Sequence, residues 1–124
     1  MLRPGKPSCS DPDAQPSENE SAVADPVRDV FLALARIHIL YHADKERIFG
    51  VGMMKELARH GYKLGPGTLY PVLHRMEADG LLASDSEVVN GKTRKYYVVT
   101  RKGRQALDRI RPKLAELIRE VRPV

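Results

Sequence analysis

Two histidines, His38 and His42, lie four residues apart in the first apolar stretch of the chain. Residues at this spacing share one face of a helix, so the two imidazoles could hold one metal ion between them. No third ligand is evident near them in the sequence, and an isolated pair is a weak signal for a metal site. We therefore predict no metal and no other cofactor, and keep His38 and His42 as candidate ligands.

A second group of polar side chains lies on a short predicted helix. Its apolar residues follow the i, i+3, i+4, i+7 spacing of one buried stripe: Leu69, Val72, Leu73 and Met76. The residues predicted to face DNA from its first turns are Gly67, Thr68, Tyr70, Pro71, His74 and Arg75. Hydroxyl, imidazole and guanidinium groups can bind base edges and phosphates in a DNA groove. For Tyr70, packing against the protein is an equally good prediction.

The start of this helix is set by its prolines and glycines. We predict that Gly67 is the N-cap and Thr68 the first helical residue, which makes Pro71 the fourth. The first four N–H groups of a helix have no partner within it, so proline is tolerated there. The preceding helix is predicted to open at Gly50 and end before Gly61. Its inner face is predicted to hold Val51, Met54, Leu57 and Ala58. Two such helices joined by a short turn form a helix-turn-helix.

A β-hairpin follows, because Asn90-Gly91 separates two extended runs, Leu81 to Val89 and Lys92 to Thr100. A two-residue turn pairs Val89 with Lys92, and the predicted register then follows along both strands. It places Leu82 opposite Val99, Ser84 opposite Tyr97, and Glu87 opposite Arg94 as an ion pair. Basic residues near the turn suit phosphate contacts: Lys92, Arg94 and Lys95. A helix-turn-helix followed by such a hairpin is a winged helix.

The first and last helices carry the apolar residues that predict a dimer. The first is predicted to begin at Pro26 and end near Ala43, and its apolar surface is wide enough for contacts on two sides. Thr100 is predicted to cap the last helix, and Pro112 to kink or split it. The residues predicted to form the dimer contact follow a heptad spacing in the last helix, with Phe31 from the first: Leu107, Ile110, Leu114, Leu117, Ile118 and Val121.

Composition limits the classes of protein. Residues 1–25 hold two basic and five acidic side chains and four prolines, which predicts a disordered tail. Residues 26–124 hold 19 basic and 11 acidic side chains, a balance that favours a polyanionic partner. No apolar run predicts a membrane span or signal peptide, and the single cysteine fits a reducing cytoplasm. We find no nucleophile–base pair and no phosphate-binding glycine loop, so we predict no enzyme.

Between about Gly50 and Gly103 the chain resembles the PadR family of winged-helix transcriptional regulators. The residues that carry the resemblance are Pro66 to Pro71, Leu73 to Arg75, Glu77, Gly80-Leu81, Arg94 to Tyr97, Thr100 and Lys102-Gly103. The resemblance implies a dimeric repressor of the short type, which has one C-terminal helix. It also implies that the second helix of the helix-turn-helix enters the major groove and the wing contacts the DNA backbone. The C-terminal helix would pack against the first helix of the partner chain.

The resulting expectation is a mainly α fold with a small β-hairpin wing, divided into a tail (1–25), a winged helix-turn-helix domain (26–100) and a C-terminal dimerisation helix (101–124). Its partners would be double-stranded DNA, a second copy of the chain and a small-molecule effector. Two alternatives stay open. One is a metal-responsive regulator that uses His38 and His42, and the other is a protein-interaction module without specific DNA binding.

Overall fold

The structure is a computed structural model and describes residues 26–123. The predicted tail, residues 1–25, lies outside the described residues. Along the chain the elements are α1 (Pro26–Lys45), β1 (Ile48–Phe49), α2 (Gly50–Arg59), α3 (Pro66–Ala78), β2 (Leu82–Val89), β3 (Lys92–Val99) and α4 (Arg101–Val121). The predicted fold class, mainly α with a small wing, is confirmed.

The described residues fall into two units, 26–32 and 33–123. In the first unit the described residues form the first turns of α1, where Val27, Val30 and Phe31 are exposed. The second unit contains the rest of α1 and all the other elements. α1 begins at Pro26 as predicted and continues two residues past Ala43.

The core lies in the second unit and draws on every element of it. Its members are apolar side chains with little exposed surface: Ala35, Ile39, Leu40, Ala43, Ile48, Met53, Leu57, Leu69, Leu73, Met76, Leu82, Tyr97, Val99 and Leu107. The inner face of α2 differs from the prediction. Gly50, Met53 and Leu57 are buried, whereas Val51 and Ala58 are exposed. Apolar residues surround this short helix on several sides, so spacing alone does not select the buried face.

α3 begins earlier than predicted. Gly65, not Gly67, is the N-cap, and Pro66 occupies the first helical position, where proline is favoured because its fixed φ suits the helix. Pro71 is therefore the sixth helical residue. It removes the hydrogen bond to the Gly67 carbonyl, yet the helix continues to Ala78. Gly80 then adopts φ 81°, and its N–H donates to the Glu77 carbonyl at 2.9 Å, which closes the helix end.

The hairpin has the predicted register over its whole length, from Leu82 opposite Val99 to Val89 opposite Lys92. Asn90 and Gly91 both have positive φ, as the tight turn requires. We refer to β2, β3 and this turn as the wing. β1 adds a third strand, pairing Phe49 with Tyr96, which the sequence did not predict. Glu87 lies opposite Arg94 as predicted, but its carboxylate pairs with Arg47 and not with Arg94.

α4 starts as predicted, because the Thr100 hydroxyl accepts a hydrogen bond from the Gly103 N–H at 3.0 Å. Pro112 does not split it, since the helix is continuous from Arg101 to Val121. Leu107 is 3% exposed and belongs to the core, so we correct its assignment to the dimer contact. Beyond it, α4 is amphipathic and largely exposed.

Candidate nucleic-acid interface

A groove of about 730 Å³ lies between α3 and the wing. Its lining comes from the start of α2, one face of α3 and the turn end of the hairpin. The cationic side chains among the lining residues are Lys55, Lys92, Arg94 and Lys95, with His74 beside them, and within residues 26–123 no lining residue is acidic. Such a surface attracts a polyanion and offers several donors to its oxygens.

Lys55 was not among the predicted site residues. It lies on α2, and its side chain is exposed on the side of that helix away from Met53 and Leu57. One signal in the sequence could have found it, because a lysine on the outer face of the first helix of a helix-turn-helix lies near the DNA backbone. Val51 and Phe49 complete this wall of the groove.

Arg75 extends from α3 into solvent, with 79% of its side chain accessible. Its Nε lies 3.3 Å from both carboxylate oxygens of Asp79, one helical turn later. An exposed pair of this kind contributes only a few tenths of a kcal/mol. The guanidinium can therefore leave Asp79 for a stronger acceptor, such as a guanine edge or a phosphate.

Tyr70 is half-buried and packs on the first residue of α2. A Cβ built on Gly50 would lie 2.7 Å from the Tyr70 hydroxyl oxygen, so the ring fits only because Gly50 has no side chain. Tyr70 also lines the groove, so the same ring packs against α2 and is accessible to a ligand in the groove. Thr68 is half-buried as well, whereas Gly67, Pro71 and His74 are exposed.

Arg94 is held in place by aromatic rings. Its guanidinium lies 4.3 Å from the ring centre of Phe49, and the Arg47 guanidinium lies 3.9 Å from the ring centre of Tyr96. The Phe49 and Tyr96 rings meet edge to face at 5.7 Å. Arg47 also forms an ion pair with Glu87 at 2.6 Å, so Arg47 is the partner of this carboxylate in place of Arg94. This arrangement fixes the wing to β1 and keeps the Arg94 head in the groove.

Lys95 is tied to α3 through Glu77. The Lys95 ammonium lies 3.3 Å from one Glu77 oxygen, and the other oxygen accepts a hydrogen bond from the Ser84 hydroxyl. The Ser84 hydrogen bond, helped by Lys95, lowers the pKa of Glu77. Partial desolvation acts to lower the pKa of Lys95, but its interactions with Glu77 and Tyr97 together outweigh this effect, and the pKa of Lys95 is raised. Lys95 thus fixes the wing to α3 as well as lining the groove.

This contact makes stability depend on pH. The pKa of Glu77 is lower in the folded chain than in the unfolded chain, so its ionised carboxylate stabilises the fold at any pH above the unfolded-state pKa. This stabilisation is lost as the pH falls through the folded-state pKa. We expect Glu77→Gln to lower the melting temperature at neutral pH and to lose that effect in acid. Thermal unfolding followed by circular dichroism measures it. Glu116→Gln, on the exposed surface of α4, is the control; an equal effect there would contradict the assignment.

The predicted candidate ligands lie away from this groove. His38 and His42 are half-buried on α1, and the structure adds a third histidine, His60, at the end of α2. Desolvation, with His60 and His42 nearby, lowers the pKa of His38, so its ring is neutral at physiological pH. His60 could not be predicted as a third member from the spacing of His38 and His42, because it lies 18 positions after His42 at the end of a different helix.

The residues predicted for dimerisation differ in exposure. Phe31, Leu117, Ile118 and Val121 are at least half exposed, whereas Ile110 and Leu114 are partly covered. An exposed apolar stripe therefore runs along the second half of α4. We call Ile110, Leu114, Leu117, Ile118 and Val121 the α4 stripe.

The fold and the groove define a winged helix with a basic surface between its second helix and its wing. Residues 39–109 match the model of the transcriptional regulator PadR-like family. The chain is 50% identical over 95 residues to the transcriptional regulator Rv3488 of Mycobacterium tuberculosis, which covers 77% of this chain and 89% of that protein. The chain therefore belongs to the PadR family of transcriptional regulators, as the sequence motifs predicted.

Solved structures agree with this assignment. A PadR family transcriptional regulator from Eggerthella lenta is 34% identical, with a TM-score of 0.64 over 81% of this chain and 92% of that one. A PadR-like transcription factor from Bacteroides fragilis is 29% identical, with a TM-score of 0.67 over 78% of this chain and 96% of that one. In the part of the chain that the structure describes, no helix is long and apolar enough to cross a membrane.

Proposed function

We propose that the chain is a sequence-specific DNA-binding repressor that acts as a homodimer and leaves its operator when a small-molecule effector binds. The observation that carries this proposal is the groove between α3 and the wing, whose described lining residues include four cationic side chains and no acidic one. The exposed Arg75 is the group that would read sequence, because its fork fits the acceptors of guanine. The lysines would supply affinity through phosphates.

The wing has a defined part in this proposal. Arg94 is fixed by Phe49, and Lys95 is fixed by Glu77, so both cations are positioned before DNA arrives. Side chains held in advance lose less rotational freedom on binding. Lys92, at the start of β3, is exposed and extends the cationic surface toward the turn.

The test of DNA binding is fluorescence anisotropy with a duplex from upstream of the protein's own coding region and a scrambled duplex of equal length. We expect a preference for the upstream duplex that persists at physiological salt. Log affinity should fall linearly with log salt concentration, with a slope of about −0.9 per phosphate contact. Equal and steeply salt-dependent binding to both duplexes would contradict sequence-specific recognition of this DNA and favour a protein-interaction role for the basic surface.

The homodimer is expected to depend on the α4 stripe. Leu117 is 51% exposed, and a lysine there would place a charge in a buried dimer contact. We expect Leu117→Lys to shift the chain from dimer to monomer in sedimentation equilibrium. Glu116→Gln changes the net charge by the same amount but lies about 100° around α4 from Leu117, on the side away from the rest of the α4 stripe, so it should leave the dimer intact. A dimer that tolerates Leu117→Lys would place the contact elsewhere.

A further inference from the structure

Three of the four histidines of the chain converge where α1 meets the C-terminal end of α2. His38 and His42 come from successive turns of α1, and His60 caps the end of α2. One ligand atom from each lies within 4.8 Å of those of the other two. We call these three residues the histidine cluster.

The spacing is close to what a metal ion requires. Zinc binds imidazole nitrogen at about 2.0–2.1 Å in tetrahedral sites, so its nitrogen ligands lie roughly 3.3 Å apart. The histidine cluster reaches that geometry if the rings turn to bring their nitrogens closer by at most ~1.5 Å. The side chains of His42 and His60 are 25% and 43% exposed, so both have room to turn.

A carboxylate stands beside the cluster. Glu56 Oε2 lies 3.1 Å from Nε2 of His60 and 3.7 Å from Nε2 of His42. Carboxylates commonly accept a hydrogen bond from an imidazole that ligates a metal, which fixes the ring and makes it a better donor. Arg59 also contacts Glu56 at 3.0 Å, so the carboxylate is itself held in position. The C-terminal end of α2 therefore supplies one ligand, His60, and the outer partner, Glu56, while α1 supplies the other two ligands.

The cluster forms part of the wall of a largely apolar cavity of about 620 Å³ between α1 and α4. The apolar lining comes from Leu34, Ile37, Tyr41, Leu107, Leu114 and Ile118. The lining also includes Arg111, whose Nη1 donates to Asp108 at 2.6 Å. An ion bound by three imidazoles would keep a fourth position open toward this cavity, where water or a small ligand could complete it.

We propose that the histidine cluster binds one divalent late transition-metal ion, Zn²⁺ or its spectroscopic substitute Co²⁺, through three imidazoles. The ligand set selects this class of ion, because Mg²⁺ and Ca²⁺ prefer oxygen ligands. The bound ion would connect α1 to the end of α2, which leads through a short turn into α3. In the competing interpretation the three rings only stack; the His38 and His60 ring centres lie 4.7 Å apart.

Metal binding is tested directly by titrating the full chain with Co²⁺ and following its visible absorption, then displacing Co²⁺ with Zn²⁺. All proteins carry Cys9→Ser, which removes the one thiol as a competing ligand. We expect one ion per chain and the intense absorption of a four-coordinate Co²⁺ site. His38→Ala and His60→Ala should each lower the affinity at least about 10-fold. His74→Ala, the fourth histidine, should leave it unchanged.

The proposed site would be overturned if the parent chain bound no Co²⁺, or if His38→Ala and His60→Ala both kept stoichiometric Co²⁺ binding. It would also be overturned if His74→Ala lost Co²⁺ binding to the same extent as these two variants. His60→Gln repeats the test with a side chain of similar size. Without metal, each variant should melt at nearly the temperature of the parent chain. Zinc at about 100-fold above its Kd should raise the melting temperature of the parent by roughly 10 °C, because the ion binds only the folded state. It should not do so for His60→Ala.

The effect on regulation rests on the proposed DNA-binding function. We expect zinc to change operator affinity by about 5-fold or more in the parent chain and not in His60→Ala. A chain that binds zinc but no operator would support the metal site and overturn the proposed DNA-binding function. A chain that binds the operator but no zinc would support the DNA-binding function and overturn the metal site. A chain that binds both, with no effect of one on the other, would overturn the regulatory link.

Discussion

Replacing Arg75 and Lys92 together by alanine is expected to lower operator affinity by about 100-fold at physiological salt, because two bidentate base contacts and two phosphate contacts are lost per dimer. Arg75 is 79% exposed and contacts the carboxylate of Asp79, one turn later at the end of α3. Lys92 is exposed in the groove. Neither side chain belongs to the core, so the loss should come without a change in melting temperature.

The single variants separate the two contributions. Arg75→Ala should reduce the preference for operator over scrambled DNA, because a lost base contact affects one sequence more than the other. Lys92→Ala should weaken both duplexes alike and reduce the salt slope by about two per dimer. Asp79→Asn should strengthen binding slightly, since it frees the guanidinium of Arg75.

The control removes the same charge elsewhere. Arg119→Ala combined with Arg122→Ala takes two cations from the C-terminal end of α4, outside the groove. This protein should bind the operator as the parent does. If it loses as much affinity as the protein with Arg75→Ala and Lys92→Ala, net charge rather than these two positions governs DNA binding, and the assignment of the DNA-binding site is wrong.

The features that the sequence predicted well are those fixed by local chemistry. The Asn90-Gly91 turn dictates the hairpin register, because a two-residue turn with positive φ permits only one pairing. Thr100 caps α4 because its hydroxyl reaches an N–H three residues later. The predicted start of α3, at Thr68, is two residues late, because proline suits the first helical position and the helix therefore begins at Pro66.

The features that the sequence did not predict depend on contacts between distant segments. Glu87 pairs with Arg47 across the sheet, because β1 joins the hairpin and brings that arginine within reach. His60 reaches His38 only through the packing of α2 on α1, and Lys55 enters the groove through the placement of α2 beside the wing. The periodicity of residues within one helix or strand carries no information about contacts between distant segments. The contacts of Glu87, His60 and Lys55 therefore could not be predicted from the sequence pattern.

The largest expected effect on stability comes from Gly103→Ala. A Cβ there would lie 2.6 Å from Val99 Cγ2 and 3.2 Å from the Leu81 carbonyl carbon, closer than side chains can pack. The Leu81 carbonyl cannot simply move, because it accepts the Thr100 N–H at 3.1 Å, and the Gly103 N–H is held by the Thr100 hydroxyl. α4 must therefore shift away from the sheet, and we expect a loss of about 3 kcal/mol in the free energy of unfolding.

Gly67→Ala is the matched control, because Gly67 also lies inside a helix but has nothing within 4 Å of a built Cβ. Alanine has the higher helix propensity, so this change should raise the free energy of unfolding by about 0.5 kcal/mol. Urea unfolding measures both variants. The same gain in propensity acts at Gly103, so a net loss there isolates the steric cost. If Gly103→Ala were as stable as the parent, the contact between the first turn of α4 and the Leu81 carbonyl would not be the one that fixes this helix.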